Sequence, residues 1–376
     1  MSVALLRTKL YIPQSRPNLV ARPRLIHRLS EGFERKLTLV SAPPGFGKST
    51  ILSEWASSVQ HPVAWLSLDP ADNEFARFWS YTMAALQTVL PPLHNGAATL
   101  ADEPGDPTHH QTALVHLINT IAETATDRFG MVFDDLHVIT EPHINDALVF
   151  LVDNLPPQMH LMLTSRADPP WPLARLRARG ELSEIRADDL RFTATEAAAF
   201  LNDVMALALA PDDIAALEER TEGWIAGLQM AALSMRGRDD LSGFIQSLSG
   251  SHRFIMDYLV EEVLERQPPT VRDFLLRTSI LDQLSAPLCD AVTGDDGSQA
   301  MLAELEQRNL FLMPQDDMRR WYRYHHLFGN LLQTRMLAMQ PDQVADLHRR
   351  ASTWYEQNGQ LAEAMRHAQA SGDLSQ

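Results

Sequence analysis

In the first half of the chain, short unbroken apolar runs alternate with longer stretches whose apolar residues recur at helical spacing. The runs lie at 37–41, 63–68 ("VAWLSL"), 130–135, 160–165 and 183–186. Continuous apolar strands separated by helices are the pattern of a parallel sheet covered on both faces. Between the second and third runs, Phe75, Phe78, Trp79, Met83, Leu86 and Leu90 form one apolar stripe, read as helix core, with Asp72 placed to cap it. The segment 91–112, rich in proline and glycine, is expected to be a loop. Its His109-His110 pair has no third ligand spaced to complete a metal site.

Beyond about residue 190 the helical period takes over. Thr193 and Glu196 are spaced as a capping box, Asp212 or Asp213 is placed to cap the next helix, and Trp224, Leu228 and Ala232 mark another. Several helices are expected over 251–308. After them "NLFLMPQDDMRRWYRYHH" predicts two strands around an Asp316-Asp317 turn, and helices followed by such a hairpin suggest a winged helix. Residues 341–376 predict two helices joined at Asn358-Gly359. One such hairpin cannot bury its own apolar face, so it is expected to open a repeat array.

Composition narrows the function classes. The 376 residues are enough for two to four domains. Lys plus Arg number 32 against 48 for Asp plus Glu, a net charge of −16, which opposes broad adhesion to nucleic acid or anionic membrane. A single cysteine, Cys289, excludes an internal disulfide and fits a reducing compartment. No apolar run reaches the length of a membrane span and the first residues lack a signal-peptide layout, so a cytoplasmic protein is expected.

The chemistry concentrates in "SAPPGFGKST", residues 41–50, which joins the first apolar run to a helix. Ala42 to Ser49 fits the P-loop spacing G-x-x-x-x-G-K-[ST] with alanine at the first position. Backbone amides from Gly45 through Thr50 and the helix N-terminus make a nest for an anion. Pro44, Gly45, Phe46, Gly47, Lys48, Ser49 and Thr50 are therefore the candidate phosphate cradle. Lys48 reaches the β- and γ-phosphates, Ser49 ligates Mg²⁺ and Thr50 touches the α-phosphate. A P-loop calls for a second acidic site, and "GMVFDDLH" supplies it, with Asp134 on the metal and Asp135 directing water. "HLMLTSR" ends in Arg166, a candidate sensor of the γ-phosphate.

Together with "LLRTKLYIPQSRPNLVARPRL", "AWLSLDPADNEFARFW", "LTSRADPPWPLARLRARGELSEIRADDLRFTATEA", "TEGWIAGLQMAAL" and "WYRYHHLF", these stretches carry a resemblance over essentially the whole chain. The sequence resembles the N-terminal part of the MalT-like regulators, large ATP-binding members of the LuxR group within the STAND class of P-loop ATPases. The resemblance implies an α/β P-loop domain with a three-layer parallel-sheet core over 1–190. A helical domain would follow over 191–250, a winged helix over 251–338 and the first helices of a TPR-like superhelix over 339–376. It implies that Val20 and Arg22 line the adenine and ribose side of an ATP/ADP site. It also implies that the winged-helix histidine contacts the β-phosphate of ADP. The family often has proline after that histidine and a Gly-x-Pro in the helical domain. Here His326 follows His325, leaving both histidines open for the role, and Gly223-Trp224-Ile225 lacks the proline.

The function so implied is an ATP/ADP switch with Mg²⁺: closed with ADP, opening and self-associating with ATP, and reset by slow hydrolysis. Inducer and DNA contacts would belong to domains not in this sequence. Two alternatives remain from the residues alone. One is a P-loop phosphotransferase with Arg175, Arg177 and Arg179 as a lid over phosphates. The other is an interaction scaffold with an inactive nucleotide site.

Overall fold

All five apolar runs pair in one parallel sheet in the order β2-β3-β4-β1-β5. The strands are β1 (Leu37–Ser41), β2 (Val63–Ser67), β3 (Phe129–Asp134), β4 (Met159–Ser165) and β5 (Leu182–Ile185). Every residue of β1, β3 and β4 is buried, which requires cover on both faces and explains why these strands read as unbroken apolar runs. The cover comes from α1 (Pro23–Gly32), α2 (Lys48–Ser58), α3 (Phe75–Gln87), α4 (Pro107–Thr124) and α5 (Pro142–Asp153), alternating with the strands as parallel connections demand. The structure is a computed structural model that describes residues 5–14, 19–91, 93, 107–238, 240–248 and 252–372. It forms two units, Met1–Ala42 with Phe46–Leu190, and Pro43–Gly45 with Arg191–Gln376.

The start of the first unit is tied down by a buried charge. Lys9, 7% exposed on the single turn Arg7–Leu10, places its ammonium 3.0 Å from Asp69 and against Asp72, over the ring of Tyr81. The Tyr81 hydroxyl in turn accepts the Leu6 N–H. Asp72 is fully buried and also accepts from Arg77 Nε and the Asp69 N–H, so its oxygens are engaged. It therefore does not cap α3, whose N-cap position is Glu74 without a side-chain bond; Asp72 instead closes a capping box on the short turn Pro70–Asn73. Residues 107–112 of the expected loop are helical, Pro107 opening α4 as proline favours. Residues 94–106 lie outside the described residues, as does the His109 side chain. His110 stacks on Phe75 at 3.9 Å.

In the second unit the Thr193–Glu196 capping box forms at the head of Ala194–Ala198, each residue's side chain accepting the other's N–H. For α6 (Pro211–Thr221) the N-cap is Ala210 with Pro211 at the first position, so Asp212 and Asp213 sit in the first turn, where they favour the helix dipole without capping. Next come α7 (Ile225–Met235), α8 (Pro269–Thr278), α9 (Ala286–Thr293) and α10 (Ser298–Gln307). The antiparallel pair β6 (Leu312–Pro314) and β7 (Tyr322–Tyr324) follows, its turn closed by the Asp316 carboxylate accepting the Arg320 and Trp321 N–H groups. Then α11 (His326–Met339) leads to the hairpin of α12 (Pro341–Gln357) and α13 (Leu361–Ser371), where Gly359 takes φ 74°. Glu222, with only 7% of its side chain exposed, anchors β7 to the end of α6 through a paired contact of 2.8 Å to each terminal nitrogen of Arg323.

Candidate phosphate-binding site

The site is built where β1, β3 and β4 end side by side, outside the carboxyl edge of the sheet. Gly45 and Gly47 take φ 79° and 75°, the left-handed backbone that lets the loop turn its amides inward, and Gly47 is the N-cap of α2. In the second unit's share of this loop, the Trp224 indole N–H donates to the Pro44 carbonyl at 3.0 Å and the Ala226 N–H to that of Gly45 at 3.1 Å. A Cβ on Gly45 would lie 2.5 Å from that of Ala226, a second reason for glycine there.

Lys48 is 7% exposed and its ammonium donates to the Ala42 carbonyl at 2.8 Å. Burial lowers its pKa to about 8, against the pull of Asp135 and Asp134 and with the push of Arg166, which is half-buried beside it. Ser49 donates its hydroxyl to Asp134 at 2.7 Å. Asp134 is buried, and desolvation, with Asp135 as a neighbouring like charge, raises its pKa against the hydrogen bonds from Thr164 and Ser49. Asp135 turns away from the sheet at φ 63° with its carboxylate half exposed, and His137 Nδ1 lies 3.7 Å from it. Thus Lys48, Ser49, Asp134, Asp135 and Arg166 converge, with Phe46 packed inside and Thr50 exposed on the first turn of α2.

Thr164 is the member that sequence reasoning missed. Since β4 lies between β1 and β3, its last-but-one residue stands level with Asp134, and its hydroxyl donates to Asp134 at 2.6 Å while accepting the Asp135 N–H at 2.7 Å. One hydroxyl thereby holds the Asp134 carboxylate and the Asp135 backbone. The signal lay in "LTSR", where the threonine precedes the arginine by two residues, but a threonine in a strand looks ordinary. Thr164→Val strands a backbone N–H and removes a donor to a buried carboxylate. A loss of about 2 kcal/mol in urea unfolding is expected, mostly restored by Thr164→Ser; an unchanged midpoint in the valine variant would show that water replaces both bonds.

The outlying residues are placed as follows. Val20 is half-buried ahead of α1, while Arg22 is 5% exposed with its guanidinium on the Leu190 carbonyl at 2.8 Å. His325 is 1% exposed at the N-cap of α11. Its Nε2 lies 2.9 Å from the Thr221 carbonyl, which only accepts, so the proton sits on Nε2 and Nδ1 accepts the Leu327 N–H at 3.3 Å. Burial lowers its pKa to about 4. His326 is exposed, its N–H donating to Glu222 at 3.0 Å.

The donor set fits nucleotide phosphates with magnesium. Ser49 and Asp134 offer hard oxygens of the kind that would hold Mg²⁺, which would supply charge neutralisation for bound phosphates. Among the described residues no three His, Cys, Asp or Glu side chains converge as a metal cage. Also among them, no helix is long and apolar enough to cross a membrane.

Residues 260–344 match the MalT winged helix domain family. The chain is 39% identical over 359 residues to the serine/threonine-protein kinase PknK of Mycobacterium tuberculosis, covering 95% of this chain and 32% of that one. It is 34% identical over 373 residues to the HTH-type transcriptional regulator MalT of Klebsiella pneumoniae, covering 98% of this chain and 41% of that one. The chain therefore spans about a third of the length of the first relative and about two fifths of the second. Among solved structures, the Walker-type ATPase paby2304 of Pyrococcus abyssi superposes with a TM-score of 0.56 at 16% identity, over 85% of this chain and 97% of that one, a likeness of fold.

Proposed function

We propose, since the chain is a MalT-like P-loop protein carrying that family's winged helix, that it is the nucleotide-controlled switch of a transcriptional regulator. The observation that carries the reading is the convergence of Lys48, Ser49, Asp134 and Asp135 at one sheet edge, with Ser49 and Asp134 already 2.7 Å apart. ATP or ADP binds with its phosphates on the loop from Pro44 to Thr50, and Val20 and Arg22 border the base and ribose. Magnesium, when bound, neutralises phosphate charge from a position beside Ser49 and Asp134. Lys48 and Arg166 hold the terminal phosphates, and Asp135, fixed by Thr164, orients and deprotonates the attacking water.

In this reading ADP belongs to the resting form. His325 is its sensor, exchanging the Thr221 carbonyl for a phosphate oxygen through the same Nε2–H. ATP favours a form that self-associates, and slow hydrolysis resets it. A nucleotide at about a thousand times its dissociation constant stabilises the form that binds it by roughly 4 kcal/mol, and only its preference between the two forms moves the switch. The protein is placed in the cytoplasm, with DNA and inducer contacts outside this sequence.

Nucleotide released on denaturing freshly purified protein tests the resting state, and near-equimolar ADP is expected. Light scattering with ADP and then with Mg·ATP tests the switch. An increase in mass with ATP alone is expected, and Asp135→Asn should keep that increase while slowing phosphate release by about a hundredfold or more. Equal mass in both nucleotides, or turnover that requires an added acceptor, would replace this reading with the phosphotransferase one.

A further inference from the structure

A cavity of about 290 Å³ lies far along the chain from the P-loop, within the second unit, between the end of α8, α11 and the α12–α13 hairpin. Its walls are mainly apolar, with Ile280, Met336 and Val344 contributed by three different segments. Its polar side is a chain of nitrogens whose protons are fixed by chemistry. Arg366 approaches His367 Nε2 at 3.4 Å, and a guanidinium only donates, so that nitrogen accepts and the His367 proton sits on Nδ1. This Nδ1 is 2.8 Å from Nδ1 of His348, which must then accept. The one proton left to His348 is on Nε2, and no described residue accepts it.

Charge selects the occupant. Arg366 is already compensated by Asp282 and by Glu363 at 2.6 Å, so its charge is spoken for. Burial, with Arg366 and the paired histidine adding to it, lowers the pKa of His367 to about 4, and burial lowers that of His348, so both rings are neutral near pH 7. Tyr355 stacks on His367 at 5.4 Å and holds the relay in place. His348 is half-exposed at the edge of the hollow, so an occupant that displaces water from its Nε2–H must offer an acceptor in exchange.

We propose that this cavity is a binding site for a small uncharged molecule with an apolar body and one hydrogen-bond-accepting oxygen, taken by His348 Nε2–H. At about 30 Å³ for each water-sized group, the space suits on the order of ten non-hydrogen atoms. Because α11 follows the β6–β7 hairpin directly and α13 ends the described chain, such a ligand joins the winged-helix segment to the first helical hairpin. The site is independent of the nucleotide reading.

Three probes of similar size and different charge test it: benzamide, benzoate and benzylamine, titrated into the 376-residue chain at pH 7 while the imidazole signals of His348 and His367 are followed by NMR. Saturable shifts with benzamide are expected, at least tenfold tighter than with either charged probe. Val344→Trp, which fills the hollow, should abolish them; Leu337→Trp, from the exposed edge of α11, serves if the first variant does not fold. Absence of saturable shifts with all three probes overturns the proposal, as does tighter binding of a charged probe or benzamide binding unchanged in a folded filling variant.

Discussion

Replacing Lys48 by methionine is expected to weaken ATP binding about a hundredfold while making the nucleotide-free chain more stable. The two effects have opposite sign because they come from different states of one ammonium. Lys48 is buried among the residues that surround it and its pKa falls from 10.5 to about 8. At pH 7 it is protonated in both folded and unfolded chains, so folding carries the whole cost of that shift, roughly 3 kcal/mol. Methionine keeps the apolar stem, removes the cost and gives up the bond to Ala42, for a net gain of about 2 kcal/mol. With phosphates bound the ammonium regains its charge partner, and its loss then costs about 3 kcal/mol of affinity. The same shift makes nucleotide binding take up protons near pH 8, and affinity should fall as pH rises above that value. Calorimetry in buffers of different ionisation enthalpy measures the uptake, and urea unfolding of the two empty proteins measures the stability. A methionine variant that is less stable when empty would mean that the Ala42 contact outweighs burial.

Acid should weaken the fold across the window set by its buried histidines. His160, fully buried, sets Nδ1 2.8 Å from the Arg35 carbonyl and Nε2 3.0 Å from the Thr38 hydroxyl, and burial lowers its pKa to about 4, as it does for His325 in the second unit. Between pH 6.5 and 4 the unfolded chain binds a proton at each of these positions and the native chain does not, so stability rises with pH across this window and is lost as pH falls through it. Each ring accounts for up to about 3 kcal/mol. Glu184 and Glu222, held near pKa 2, act in a lower window: their contribution is intact above 4.5 and disappears only as pH falls towards 2. Glu184 owes its shift first to the hydrogen bond from Arg177, while Glu222 owes it to Arg323, with His325 and the His326 N–H assisting against the opposing effect of burial. Urea midpoints at pH 7 and pH 5 should separate widely for the parent chain and converge for His160→Gln in the transition of the first unit. Equal separation in parent and variant would assign the acid sensitivity elsewhere.

What could be read without coordinates follows from how local each signal is. The five strands were legible because a run buried on both faces has no polar interruption, and the β6–β7 hairpin because Asp316-Asp317 sits between two apolar stretches. Lys48, Ser49 and Asp134 were legible because phosphate chemistry fixes their residue types and spacing. Thr164 was not, since its importance arises from β4 lying between β1 and β3, a fact of topology. Asp72 was assigned to the helix it precedes, whereas Lys9, 63 residues away along the chain, claims it. The π-helical segments Ala199–Val204 and Val260–Leu264 were hidden because their apolar spacing passes for an ordinary helix. The tautomer of His325 was equally hidden, as it depends on the Thr221 carbonyl more than a hundred positions upstream.

The strand order also governs how a growing chain acquires this site. The P-loop strand β1 is synthesised first, yet both of its partners, β4 and β5, come last in the unit, and β4 begins 118 residues after β1 ends, at Met159 against Ser41. Until those residues leave the ribosome, "SAPPGFGKST" flanks an unpaired apolar strand, and Asp134 has no Thr164 to donate to it. Such long-range parallel pairing is slow, and it leaves the strand exposed to wrong partners meanwhile. Nucleotide thus cannot guide the early nascent chain; it can only reward the finished sheet, after Ile185 is in place.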